Sequence, residues 1–275
     1  MICAWDQLLG ILPDWLAKDV DRYGRRELQE VRLRIGQVPE LVLGEISLWC
    51  DRIVSKDDIN FVINTASRYS PWAASSLSRG YLTAAGGHRI GVCGEAVTRE
   101  GEMVGIRHAN SLCIRVARDF SGICGAAAKL KGSVLLIGPP CSGKTSLLRD
   151  LARSIAGKES VGVVDERGEL FPEGICRGRR MDVLSGCSKP QGVEIILRTM
   201  SPTTIAVDEI TSEADCVALL QAGWCGVRLI ATAHAENISD LRQRAVYRTL
   251  VSEGLFEHVL VLGRDKSWRE ERMAV

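Results

Sequence analysis

The sequence predicts an α/β chain in which a domain with a mainly parallel sheet follows a smaller α+β domain. Three observations carry this. From about residue 120, short β-branched apolar runs alternate with segments whose apolar residues recur at helical spacing. Residues 1–120 instead open on a helical stretch and continue as extended segments separated by glycine turns. A glycine-rich loop separates the first apolar run of the second part from its first helical segment.

In chain order, the first part holds an apolar helical start (Trp5, Leu8, Leu9, Leu12 and Trp15 at helical spacing), then the extended stretch 30–36 (EVRLRIG) and a strand near Leu41 to Leu43. The apolar spacing at the start fits burial in a core better than a docking face. A helical patch over 57–70 and a hairpin-rich run over 79–118 follow, in which Gly86-Gly87 and Glu100-Gly101 supply turn chemistry. The second part places strands at 134–137 (VLLI), 161–164 (VGVV), 204–207 (TIAV), 227–232 (VRLIAT) and 258–262 (HVLVL). Helical segments fall at 146–157, 193–200, 213–223 and 239–250. Nearly continuous apolar strands separated by helices mean a parallel sheet covered on both faces. The expected boundaries are an N-terminal domain over 1–118, a connection over 119–132 and an α/β domain over 133–275.

Composition removes several classes of function. The 275 residues carry 35 Lys+Arg against 34 Asp+Glu, evenly shared by the two parts, so no basic tail or half is set aside for nucleic acid. Arg177, Arg179 and Arg180 form a short basic cluster that reads as a solvated loop. No apolar run approaches the roughly 20 residues of a membrane span, and Asp6 interrupts the stretch where a secretory signal would stay uncharged. Ten cysteines are scattered without a C-x-x-C pair, which predicts reduced, structural thiols in the cytoplasm rather than disulfides or a zinc site.

The sharpest chemical signal is Gly138-Pro139-Pro140-Cys141-Ser142-Gly143-Lys144-Thr145, a complete GxxxxGKT between a strand and a helix that continues with Ser146. Glycine lets backbone N–H groups turn inward around phosphate, and the helix N-terminus adds a favourable dipole. The pattern predicts a RecA-like nucleotide-binding domain with ATP held by residues 138–146. Lys144 would reach the β- and γ-phosphates, and Thr145 would offer its hydroxyl to Mg²⁺. A second signal is the apolar strand that ends in Asp208-Glu209, where ligands gather in a parallel sheet. Asp208 is expected to support Mg²⁺ and Glu209 to polarise water. Two further strand ends, Asp165-Glu166-Arg167 and Thr232-Ala-His234, would line the same crevice. Glu166 reads as a second carboxylate for water or Mg²⁺ and His234 as a sensor of the γ-phosphate, with a local Asp165–Arg167 surface pair and a satisfied histidine as the alternatives.

These four elements, in this order, resemble the secretion-motor ATPases of type II and type IV pilus systems, with their phosphate loop, acidic box, Walker B strand and His box. The chain is more similar still to the stage III sporulation protein AA family. The segments EVRLRIGQVPEL (30–41), GGHRIGVCGEAV (86–97), SLCIRVAR (111–118), VVDERGEL (163–170), MDVLSGCSKPQG (181–192) and MSPTTIAVDE (200–209) carry that resemblance along nearly the whole chain. It implies an ATPase that powers or gates a channel between mother cell and forespore, docked on membrane-embedded channel proteins from the cytoplasmic side and assembled as a homohexamer. By position, Glu166 matches the acidic-box glutamate, Asp208 and Glu209 the Walker B pair, and His234 the His-box histidine. Arg89, Arg115 and Arg118 lie where such motors place arginines that reach a neighbour's nucleotide, although a solvated strand edge accounts for them equally well. Secretion motors usually carry Gly where this chain has Asp208, a departure that affects the Mg²⁺ arrangement. A nucleic-acid-dependent ATPase and an ATP-binding scaffold with negligible hydrolysis are the rival readings.

Overall fold

The computed structural model describes residues 4–23, 27–68, 80–172 and 174–271. The chain divides into two compact units, Met1–Asp119 with Pro172–Ile175, and Phe120–Phe171 with Cys176–Val275.

The first unit is built on helices α1 (Trp5–Gly10), α2 (Asp14–Tyr23) and α3 (Lys56–Ala66) and on strands β1 (Leu28–Arg34), β2 (Glu40–Leu43), β3 (Ile46–Trp49), β4 (Tyr81–Thr83), β5 (Arg89–Arg99) and β6 (Glu102–Arg115). All neighbours in its sheet are antiparallel, in the order β3-β2-β1-β6-β5-β4. The predicted Glu100-Gly101 turn closes the β5–β6 hairpin, with φ of 54° and 85° and Arg99 opposite Glu102, the left-handed pair that a two-residue hairpin loop requires. Helix α3 starts at Ser55 because a capping box fixes it there: the Ser55 hydroxyl accepts from the Asp58 N–H at 3.1 Å and Asp58 accepts from the Ser55 N–H at 2.8 Å. The helical patch expected over 57–70 covers 56–66, and positions 69 and 70 lie outside the described residues.

Trp5, Leu8 and Leu12 are buried in one cluster with Val31, Leu33, Ile90 and Ile114, so the apolar N-terminal spacing serves the core. His88 is fully buried in this unit. Its Nε2 lies 2.9 Å from the Ala4 carbonyl and its Nδ1 accepts from the Ala117 N–H at 3.1 Å, which fixes a neutral ring with the proton on Nε2. Burial holds its pKa below the usual histidine value, against a smaller opposing effect of the Ala4 carbonyl.

The second unit has strands β7 (Val134–Ile137), β8 (Val161–Asp165), β9 (Met181–Ser185), β10 (Thr204–Ile210), β11 (Arg228–Ala233), β12 (His258–Leu262) and β13 (Trp268–Glu271). Their order is β13-β12-β7-β11-β10-β8-β9, parallel throughout except for the antiparallel edge strand β13. Every residue of β7 and β8 is buried, as a sheet covered on both faces demands. Helices α4 (Lys144–Ile155), α5 (Lys189–Met200) and α6 (Glu213–Trp224) connect the strands. Val193, Ile196, Cys216 and Leu219 of α5 and α6 pack with Ile205, Val207, Leu229 and Ala231 of the sheet.

Three elements named here depart from expectation. The helical segment predicted over 239–250 is broken into α7 (Ile238–Gln243), a 3-10 turn (Ala245–Tyr247) and α8 (Arg248–Ser252), because Arg244 takes an extended ψ of 119°. Strands β9 and β13 were not expected, since both are half-exposed edges without an apolar run. The described cysteines are free thiols; burial raises the pKa of Cys50 and Cys124 to about 11 and that of Cys216 to about 12, which makes them inert small hydrophobes. Among the described residues no helix is long and apolar enough to cross a membrane, and no cluster of His, Cys, Asp and Glu forms a ready metal cage.

Candidate functional site

The carboxyl ends of four neighbouring parallel strands, β7, β11, β10 and β8, meet at one cleft of about 770 Å³ in the second unit. It is lined by Cys141 to Leu147 of the glycine-rich loop and α4, by Asp208, Glu209, Thr232 and His234, and by Arg167, Glu169 and Lys266. Crevices of this kind, at the strand ends of open parallel sheets, are where such folds hold ligands.

The loop after β7 is shaped for a compact anion. A Cβ on Gly138 would lie 2.7 Å from the Leu262 carbonyl oxygen and 2.8 Å from the Ser142 hydroxyl, so only glycine fits there. Gly143 has φ of 95°, and a Cβ there would meet Lys266 Cδ at an ordinary contact distance of 3.6 Å, so its requirement is conformational. It starts α4 without a side-chain cap and without an acidic residue in the first turn, leaving the N–H groups of that turn for a ligand. Lys144 is buried and donates to the Gly138 and Pro139 carbonyls at 2.8 and 2.9 Å, with His234 Nδ1 at 3.3 Å. Burial holds its pKa below the ordinary lysine value, while Asp208 and Glu209 pull it back up. Cys141 has a positive φ of 61° and its carbonyl accepts from the Lys266 ammonium.

Strand β10 changes register against β11 between Val207 and Ile210, and this irregularity presents its two acids. Asp208 accepts from the Thr145 hydroxyl at 2.9 Å and from the Thr232 hydroxyl at 2.6 Å. Thr232 in turn accepts the Glu209 N–H at 2.7 Å, in place of a ladder bond. Glu209 sits at φ 55°, a left-handed conformation rare for a residue with a side chain. Both of its oxygens are engaged, Oε1 by His234 Nε2 at 3.2 Å and Oε2 by Arg167 Nη1 at 2.9 Å.

The acidic segment after β8 divides its labour. Asp165 is not paired with Arg167. It is buried and accepts three backbone N–H groups, from Glu169, Leu170 and Phe171, at 2.9 to 3.0 Å. Burial raises its pKa, and those bonds act against the rise. Glu166 is bound by the buried Lys189 ammonium at the start of α5, and the same ammonium lies 3.8 Å from Asp215, which closes the capping box of Ser212 at the start of α6. Arg89, Arg115 and Arg118 all belong to the first unit. Arg89 stacks on Tyr81 at 4.1 Å, Arg115 lies 3.5 Å from Glu30, and Arg118 donates to the Leu28 carbonyl at 2.7 Å.

Three residues of this arrangement were missed in the sequence: Thr232 as the bridge between the two acids, Arg167 as the partner of Glu209, and Lys189 as the partner of Glu166. Lys189 alone left a local signal, since a cation in the first turn of a helix opposes the macrodipole and so asks for an acidic partner elsewhere.

Comparison with known proteins agrees with this architecture. The chain is 38% identical over 257 residues to Stage III sporulation protein AA of Bacillus subtilis (strain 168), covering 87% of this chain and 84% of that protein. Among solved structures it is similar to the pilus retraction motor PilT with bound ADP (TM-score 0.62, 13% identity, 95% of this chain and 78% of the other) and to the Legionella pneumophila ATPase DotB (TM-score 0.59, 17% identity, 95% and 80%). At those identities the likeness concerns the fold alone, an α/β architecture shared with RecA-like secretion ATPases that carry a small N-terminal domain. The model of the family described as sporulation stage III, protein AA, matches residues 8–272, and the chain belongs to that family.

Proposed function

We propose that the chain is a Mg²⁺-dependent ATP hydrolase of the motor type, which powers or gates a channel complex joining mother cell and forespore during sporulation. The observation that carries the reading is the convergence of the Gly138–Thr145 loop, the Thr145–Asp208–Thr232 bridge and Glu209 at the ends of four adjacent strands. ATP fits this cleft: the Gly138 cradle admits no Cβ, and the uncapped start of α4 faces it. The Thr145 hydroxyl and the Asp208 carboxylate, 2.9 Å apart, are hard oxygen donors suited to Mg²⁺. When bound, Mg²⁺ would neutralise charge on the phosphates.

The chain's own groups then have defined tasks. Lys144 exchanges its loop carbonyls for phosphate oxygens, and the backbone N–H groups of 141–145 orient them. Glu209 takes the proton of the attacking water, and His234 holds its Oε1. Glu166, bridged by Lys189 to the cap of α6, ties the acidic segment to the helix that follows the Walker B strand. Arg89, Arg115 and Arg118 are assigned to the nucleotide of a neighbouring subunit in a homohexamer that docks on membrane-embedded channel proteins.

The test is ATP hydrolysis measured across protein concentration, with mass determined on the same samples. Turnover per subunit should rise as oligomers form, and an arginine supplied in trans is worth roughly 10³–10⁵ in rate in comparable systems. Turnover independent of concentration and unaffected by Arg115→Ala and Arg118→Ala would remove the shared site. Stimulation by single-stranded nucleic acid would favour the rival reading.

A further inference from the structure

We propose that Arg167 is the residue within the same subunit that reads the terminal phosphate: its guanidinium holds Glu209 here and passes to the γ-phosphate when ATP binds, releasing Glu209 for water. This deepens the ATP-hydrolase reading and rests on it.

Four observations support the assignment. Arg167 lines the same cleft as Lys144 and Thr145, and its Nη1 lies 2.9 Å from Glu209 Oε2. The segment that carries it is anchored just beyond it. Asp165 gathers the N–H groups of residues 169–171, while the buried Arg149 of α4 donates to the Leu170 and Glu169 carbonyls at 2.5 and 2.8 Å. Arg149 belongs to the helix that follows the phosphate loop, so the segment carrying Arg167 is tied to that loop while the Arg167 side chain stays half exposed.

The third observation is that each oxygen of Glu209 already holds a partner, His234 on Oε1 and Arg167 on Oε2, so departure of Arg167 frees Oε2 for water. The fourth is charge. A half-exposed guanidinium paired with one carboxylate is weakly held, whereas a terminal phosphate offers more negative charge and a pair of oxygens matched to the guanidinium fork. ATP therefore competes for Arg167 and ADP, lacking that group, does not. The exchange makes hydrolytic competence conditional on the γ-phosphate, and it is separate from any arginine of a neighbouring subunit.

The experiment titrates the full-length chain, with Mg²⁺ present, with fluorescent ADP and with a fluorescent non-hydrolysable ATP analogue. Wild type, Arg167→Ala and Arg167→Lys are compared after thermal unfolding has shown all three to be folded. Arg167→Ala should weaken the ATP analogue about tenfold, the equivalent of one charge-assisted hydrogen bond, and change ADP affinity less than about twofold. Arg167→Lys, which keeps the charge without the fork, should fall between. Equal weakening of both nucleotides, or weakening of neither, overturns the assignment and leaves the hydrolase reading standing. A wild-type chain that binds neither nucleotide overturns both.

Discussion

Thr232→Val is the substitution that asks most of the site's geometry. Thr232 is 1% exposed, and its hydroxyl serves two groups, accepting the Glu209 N–H at 2.7 Å and donating to Asp208 at 2.6 Å. Valine has nearly the same shape, so no cavity forms and the loss is confined to hydrogen bonding. An orphaned buried N–H costs about 1–3 kcal/mol, and a hydrogen bond to a carboxylate contributes about 1.5–3 kcal/mol. Asp208 keeps the Thr145 hydroxyl, which places the sum near the lower bounds, about 2.5 kcal/mol. For a unit of this size that corresponds to a fall in Tm of roughly 5–10 °C. The left-handed conformation of Glu209 also loses its tether, so its carboxylate moves and hydrolysis falls by about 10²-fold, the cost of a displacement near 1 Å. Thermal unfolding by circular dichroism and a phosphate-release assay, with Thr232→Ser as the control that keeps the hydroxyl, measure both effects. If Thr232→Val melts within about 2 °C of wild type, or Thr232→Ser loses as much as Thr232→Val, the bridge does not hold the acids.

Other perturbations separate the remaining contributions. His88 binds fewer protons in the folded chain than in the unfolded one, because burial lowers its pKa from the ordinary 6.5. Its contribution is therefore fully present above about pH 6.5 and is lost as pH falls through the window between 6.5 and its lowered folded value; denaturant titration across that range should show the decline, and His88→Gln should flatten it. Lys189→Met leaves Asp215 without its cation and should destabilise by about 3 kcal/mol in denaturant, the low end for a broken buried pair because Glu166 is 38% exposed; Glu166→Gln in the same chain should restore part of the loss. Gly138→Ala forces backbone and Ser142 apart and should abolish nucleotide binding, while Gly143→Ala, with room but the wrong φ, should destabilise by roughly 1–2 kcal/mol and weaken binding less; isothermal titration with ATP distinguishes them.

The parallel sheet was legible because its central strands are buried on both faces and so read as unbroken apolar runs; β7 and β12 fall on the residues expected. Edge strands lack that signature, and β13 (WREE) is charged because one of its faces meets solvent. Over 239–250 the burial pattern was legible and the helix was not, since Leu241, Tyr247 and Leu250 do face the core while Arg244 interrupts the helical turn. The glycine-rich loop and the Asp208-Glu209 strand end were local patterns, and a strand–loop–helix context gave them meaning. The partners of those residues were not legible. Arg167 meets Glu209 and Lys189 meets Glu166 across strands that the order β10-β8-β9 brings together, and no spacing along the chain encodes which cation faces which carboxylate.

The most direct test of the central claim is single-turnover phosphate release from bound ATP by wild type and by Glu209→Gln, with ATP affinity measured on the same preparations. Glu209→Gln should bind ATP about as tightly as wild type and release phosphate at least about 10²-fold more slowly, as expected when a general base is removed. Phosphate release at the wild-type rate from the Glu209→Gln chain would contradict the role given to this carboxylate, and with it the account of the cleft as a hydrolytic site.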